Sequence, residues 1–407
     1  MESLRQYFTG VAYKYLSRVD TKTSGTSNQH EIGSNKLISI LENPDMKITH
    51  FDGEFLYLDD NDESDDPLRA SGRLSWYDPR RKTKRKGQEF RLYYPANSVT
   101  SRMTEGDFCI FAKQPNDTVW IIIAPPESTA ERQLRWLFDI DVMPNDDDLT
   151  VQRVDIHRGV SMAEAMILES LGLEVRLDEK VWLKKLISKF GLLYPKTTIF
   201  SSFARKTCKQ KVDPLLDPDG ALTAWMEHEE ILFRTLEREI VQKQLDTGFE
   251  SVDHFISFSL SVQNRRKSRV GHALEHHLAA IFEVHKIPFE RQATTENRTK
   301  VDFLFPSSIE YHDSLFPVEK LIMLASKSSC KDRWRQVLAE AARIKKKHLL
   351  TLEPAISAHQ TKEMESLNLQ LVVPKKMLAT YTATQQEWVM DVSSYISFIQ
   401  STLSQKK

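Results

Sequence analysis

Residues 301–340 read VDFLFPSSIEYHDSLFPVEKLIMLASKSSCKDRWRQVLAE. The apolar run 301–305, stopped by Pro306, has the length of a buried strand and carries one acid, Asp302. Residues 321–327 form a second expected strand, and alternation puts Leu321, Met323, Ala325 and Lys327 on one face. Beyond Asp332, Trp334, Val337, Leu338 and Ala341 recur at helical spacing, which predicts a helix with Glu340 beside its apolar stripe. Two strands thus bring an acid and a lysine together, and the helix adds a second acid. That set suits metal-assisted phosphodiester hydrolysis. Hard divalent cations take carboxylate oxygens, a bound cation makes water a better nucleophile, and a lysine stabilises charge on the phosphate or orients the water. The plainer reading is that an acid and a lysine near strand ends are surface charges, and spacing alone leaves both open.

Four ordered blocks carry more. The segments NRRKSRVGHALEHHL (264–278), VDFLFPSSIEYHD (301–313), FPVEKLIMLASKSSCKDRWRQVLAEA (316–341) and LVVPKKM (371–377) resemble the catalytic domain of the EcoRII family of type II restriction endonucleases. The resemblance runs from about 249 to 377 and continues more weakly over the rest of the chain. It implies an α/β restriction-endonuclease-like, PD-(D/E)XK catalytic domain, preceded by a mainly β, B3-like pseudobarrel that binds effector DNA. It implies Asp302 and Glu340 as ligands of Mg²⁺, Glu275 as a further acid near the metal, and Lys327 as the catalytic lysine. Lys331, Asp332 and Arg333 match the family's base-reading segment; Arg or Lys can donate to guanine, and Asp can accept from cytosine. Val301 stands where the fold's name leads one to expect Pro.

The same resemblance implies double-strand breaks at a short C·G-rich site of CC…GG type, CCWGG-like, leaving 5′-phosphate ends. A homodimer would match a two-fold site in double-stranded DNA. A second site would act as effector in the N-terminal domain, and a cognate methyltransferase would act on the same sequence without direct contact. Family members with this core also extrude central bases.

Composition sets bounds. A chain of 407 residues is long for one domain. The expected division is an effector DNA-binding domain at 1–175, a linker at 176–195 and the endonuclease domain at 196–407. Net charge is −1, so local patches must carry any affinity for nucleic acid. Three scattered cysteines fit a reducing cytoplasm better than a disulfide framework. No apolar run approaches membrane-spanning length, and no signal-peptide core is seen, so the expected location is cytoplasmic.

Residues 1–20 place Leu4, Tyr7, Phe8, Val11, Tyr15 and Leu16 at spacing that predicts an amphipathic helix. Strand-like runs at 52–58, 71–77, 108–112 and 119–124 predict a compact β domain. Residues 76–95, WYDPRRKTKRKGQEFRLYYP, are the most basic stretch, flanked by aromatics. An exposed basic loop is the plain reading; a phosphate-binding loop on a β scaffold is the sharper one. By the resemblance, His30, Arg80, Lys84, Lys86, Glu89 and Arg91 are effector-DNA candidates.

Residues 222–246 read as a long helix, as do 264–285, whose start carries Arg265, Arg266, Lys267 and Arg269. A basic helix N-terminus favours phosphate, which makes those four DNA-backbone candidates. Glu275 is equally open to a plain role as an arginine's partner. His272, His276, His277 and His285 lack a fitting third ligand for zinc. Tyr311 is a candidate active-site neighbour, with a covalent role considered and set below water as nucleophile. Residues 385–403 read as a last amphipathic helix. Two other readings stand beside the restriction enzyme: a non-catalytic DNA-binding regulator, and a repair nuclease of the same fold.

Overall fold

The computed structural model describes residues 4–21, 30–60, 66–82, 87–140, 149–152, 160–175, 180–296, 299–330 and 333–404. The chain divides into two compact units: residues 1–175 with 355–359, and residues 176–354 with 360–407.

The first unit is built on one sheet. Its strands are β1 (Gly10–Tyr15), β2 (Glu31–Gly33), β3 (Ile48–Tyr57), β4 (Leu68–Tyr77), β5 (Arg91–Tyr93), β6 (Phe108–Lys113), β7 (Val119–Ala124) and β8 (Thr150–Gln152). They lie in the order β2-β5-β4-β3-β7-β6-β1-β8. Neighbours are antiparallel except β3 and β7, which run parallel. Phe55, Leu74, Trp76, Phe111 and Ile121 fill the core on one side. The expected helix at 1–20 is not formed. A short turn of 3-10 helix, Leu4–Gln6, leads into β1. Val11, Ala12, Tyr13 and Lys14 are all buried, so both faces of β1 are covered and its apolar residues do not alternate. Such a doubly covered strand imitates a helical stripe. Lys14 is tolerated inside because Asp20 meets its ammonium at 2.7 Å.

The second unit carries a five-stranded sheet: β9 (Glu290–Thr294), β10 (Lys300–Phe305), β11 (Ile322–Lys327), β12 (Lys347–Thr351) and β13 (Leu369–Val372), in the order β13-β12-β11-β10-β9. β9, β10 and β11 are antiparallel; β11, β12 and β13 are parallel. Two long helices, Pro218–Thr247 and Val252–Val284, accompany it. The first starts at Asp217, whose carboxylate accepts from Gly220 N at 2.8 Å, with Pro218 in the first turn. It stops at Gly248, whose φ of 83° suits glycine. Ser251 then caps the second helix through His254 N. Phe282 packs edge-on against Phe303 and Phe305, with centroids 5.4 and 5.3 Å away, and so seats this helix against β10.

Three expectations need correction here. The stretch 176–195 holds the helix Lys180–Phe190, whose Trp182 and Leu186 are buried with Phe200, Leu232 and Phe233, so it is a packed part of the second unit. The last helix is broken into Ala383–Trp388 and Val392–Ser404, because Val389 is extended and 390 bridges to β13. The helix after Asp332 covers only Arg333–Val337 and ends before Glu340.

Candidate active site

β10 and β11 bring the acid and the lysine together. Phe303 pairs with Leu324 and Leu304 with Met323, so alternation puts Asp302, Met323, Ala325 and Lys327 on one face. Asp302 is mostly buried. Its Oδ2 accepts from Ser326 N at 2.7 Å and from Lys327 Nζ at 3.1 Å. Its Oδ1 accepts from Gln292 Nε2 at 3.2 Å. The same nitrogen reaches Glu275 Oε2 at 3.2 Å, where Arg291 Nη2 also donates at 3.0 Å. Glu275 therefore has an arginine partner and is also tied to Asp302 through one side chain. Sequence reading missed Gln292, which carries no charge and belongs to no spacing pattern.

Glu340 follows the short helix in a turn rather than within it. Its Oε2 is buried and has no hydrogen-bond partner. Burial pushes its carboxyl up to about 7; the charge of Asp302 adds to this, and Lys327 and Lys347 oppose it. Lys347 is buried and spends its ammonium on Ile344 O at 2.9 Å and Ala341 O at 3.2 Å. Burial lowers its pKa. Ala341 sits at φ 46°, in the left-handed region, so the chain turns sharply just after the acid. The lysine therefore holds the turn that presents Glu340.

Among the described residues, no group of three or more His, Cys, Asp or Glu is arranged to hold a metal ion. The donor set still fits a hard divalent cation. Mg²⁺ commonly uses one or two carboxylates and keeps several waters. Asp302 and Glu340 are two acids in electrostatic range of each other, and one has an unpartnered buried oxygen. A cation there would supply the missing partner.

Tyr311 is not available as a nucleophile. Its ring is fully buried and its hydroxyl donates to Glu296 at 2.6 Å. Burial and that acid raise its pKa, so the phenolate is disfavoured.

The basic cluster 265–269 lies in the middle of Val252–Val284, not at a helix start, so no free backbone N–H groups add to its charge. Arg269 is buried, paired with Glu230 and facing Glu229 at 3.6 Å. Arg266 meets Glu237 at 2.5 Å, and Arg265 lies over the Tyr194 ring at 4.2 Å. Arg269 thus serves the interior, against the expectation of a phosphate contact. Lys267 also has an interaction partner.

In the first unit, Arg80, Glu89 and Arg91 come together. Arg91 donates to Glu31 at 2.8 Å and to Glu89 at 2.7 Å, and Arg80 pairs with Glu89. Tyr77 donates to Glu31. The His30 ring meets the Tyr94 ring edge-on at 5.3 Å. Lys84 and Lys86, with Lys331 and Asp332, lie outside the described residues. Arg333 is exposed at the start of its short helix.

Residues 233–396 match the model of a family described as EcoRII C terminal. This segment is similar to the EcoRII C-terminal family. The type II restriction enzyme EcoRII of Escherichia coli is 44% identical over 183 residues, which are 45% of this chain and 45% of that enzyme. The match therefore spans about half the length of the curated relative. Asp302, Lys327, Glu340, Glu275 and Gln292 all fall inside the matched segment. Among solved structures, metal-depleted Ecl18kI in complex with uncleaved, modified DNA is 19% identical, covering 55% of this chain and 86% of that one, with TM-score 0.46. The PspGI–substrate DNA complex is 13% identical, covering 61% and 97%, with TM-score 0.39. Both are loose likenesses of shape.

Proposed function

We propose that the second unit is a type II restriction endonuclease domain of PD-(D/E)XK fold, hydrolysing phosphodiester bonds in double-stranded DNA with Mg²⁺. The observation that carries this reading is the pairing of Asp302 with Lys327 beside a buried Glu340 oxygen that lacks a partner. The EcoRII C-terminal match over the same residues supports it.

Asp302 and Glu340 would hold Mg²⁺, which supplies neutralisation of the phosphate and a more acidic water. The chain's own groups do the rest. The Ser326 amide and Lys327 fix Asp302 with Oδ2 turned inward. The Lys327 ammonium, partly exposed beside Asp302, can meet a non-bridging phosphate oxygen as negative charge grows on it. Glu340, poised near neutrality, ionises where the cation is favoured. Water attacks phosphorus, the 3′ oxygen leaves and takes a proton, and the products are a 5′-phosphate and a 3′-hydroxyl.

The finer reading is a homodimer cutting a CC…GG, CCWGG-like site in the cytoplasm. A second site would be bound as effector by a B3-like first unit, and a methyltransferase would protect the same sequence. Among the described residues, no helix is long and apolar enough to cross a membrane. Lys331, Asp332 and Arg333 are the proposed base readers.

A digest of unmethylated, multi-site DNA with Mg²⁺, followed by end sequencing, tests the reading. Discrete fragments sharing one C·G-rich motif are expected. Asp302→Ala should abolish cutting and leave duplex binding. No cutting by the parent chain, even with short duplexes added as effectors, would favour a DNA-binding regulator instead.

A further inference from the structure

β9 contains a conformation that strands avoid. Gln292 has φ 51°, in the left-handed region, though it bears a Cβ. The β9–β10 ladder pairs Val301 with Ala293 and Phe303 with Arg291, and the rung between them, Asp302 with Gln292, is missing. The backbone gives up that rung, and the side chain spans two acids instead. Gln292 Nε2 lies 3.2 Å from both Asp302 Oδ1 and Glu275 Oε2. A carboxamide nitrogen carries two hydrogens, so its whole donor capacity goes to these carboxylates.

We propose that Gln292 is a positioning residue of the candidate metal centre, held in a strained backbone so that its amide fixes Asp302 and Glu275 for a divalent cation. This rests on the endonuclease reading above. The geometry explains why the strain is kept. Asp302 Oδ2 is already fixed by Ser326 and Lys327, so Gln292 sets the remaining oxygen. Its amide hydrogens also reduce repulsion between two acids before a cation arrives. Strained backbone persists where surrounding structure and function require it.

The test uses the full chain. Gln292→Gly removes the amide and also relieves the left-handed strain, so its melting temperature should equal or exceed the parent's. Gln292→Met keeps length and removes both donors. Mg²⁺ binding, measured by calorimetry without DNA, should weaken about ten- to hundredfold in each variant. Single-turnover cleavage should need correspondingly more Mg²⁺ and recover at saturation. Parent-like Mg²⁺ affinity in either variant, or a destabilised Gly variant that keeps its Mg²⁺ requirement, overturns the role of Gln292 alone. Absence of Asp302-dependent Mg²⁺ binding in the parent overturns the endonuclease reading with it.

Discussion

In the first unit, Glu31 and Glu89 meet Arg80 and Arg91, and Tyr77 adds a donor to Glu31. In the second, Asp302 is met by Lys327, Gln292 and a backbone amide, while Glu340 keeps a buried oxygen without a partner. The two groups respond oppositely. Hydrogen bonds from Arg91 hold the Glu89 carboxyl below its usual value, whereas burial raises that of Glu340 to about 7. A balanced surface cluster is near its resting state and contributes modestly to stability. An acid left short of a partner is costly in isolation and ready for a cation.

The largest effect expected comes from a group that is both balanced and buried. Arg269→Ala would strip its cation from buried Glu229, which keeps only His277, while half-buried Glu230 keeps Arg234, and should cost about 3–5 kcal/mol. Urea denaturation checks this; a loss under about 1 kcal/mol would mean that balance matters little even in the interior. Next is Lys327→Ala, expected to slow single-turnover cleavage about 10²–10³-fold without unfolding the chain. A change smaller than about tenfold would remove the lysine from the reacting group.

Glu340→Gln sharpens the contrast through pH. The folded carboxyl titrates near 7 and the unfolded one near its ordinary value of 4.5. Between those values the folded state binds more protons, so stability falls as pH rises through this window. The metal-free variant should therefore match the parent at pH 4.5 and exceed it at pH 8 by about 1–2 kcal/mol, allowing for partial exposure. Denaturation at the two pH values decides it; a gap that widens toward acid pH would reverse the assignment. The smallest effect belongs to the balanced surface cluster. Glu89→Gln should change stability by less than about 1 kcal/mol. Losing Glu89 as partner of Arg80, and leaving Arg91 to Glu31, should steepen the salt dependence of duplex binding by about one unit of slope. Anisotropy titrations over a salt series would show an unchanged slope if those arginines do not face DNA.

Asp302 and Lys327 were legible because strand alternation is a short-range rule, and two apolar runs with one charge each obey it. Glu340 was legible as an acid and not in its setting. Its turn depends on a left-handed Ala341 and on Lys347 reaching back to two carbonyls, a contact no period encodes. Gln292 left no trace in the sequence because its role comes from a broken rung. The strand β1 was misread as helix because both its faces are buried. The cluster 265–269 was misplaced because Ser251, not the basic run, begins the helix.

Glu275, Gln292, Asp302, Lys327 and Glu340 follow one another along a single stretch, and the strands among them, β9, β10 and β11, are antiparallel neighbours in chain order. Closing β9 on β10 spans only 295–299, whereas β11, β12 and β13 arrive after the longer connections 306–321, 328–346 and 352–368. The β9–β10 pair, which carries Gln292 and Asp302, can therefore assemble early as a chain emerges or refolds. The later strands then bring Lys327 and Glu340 to a candidate site whose amide and first acid have already met.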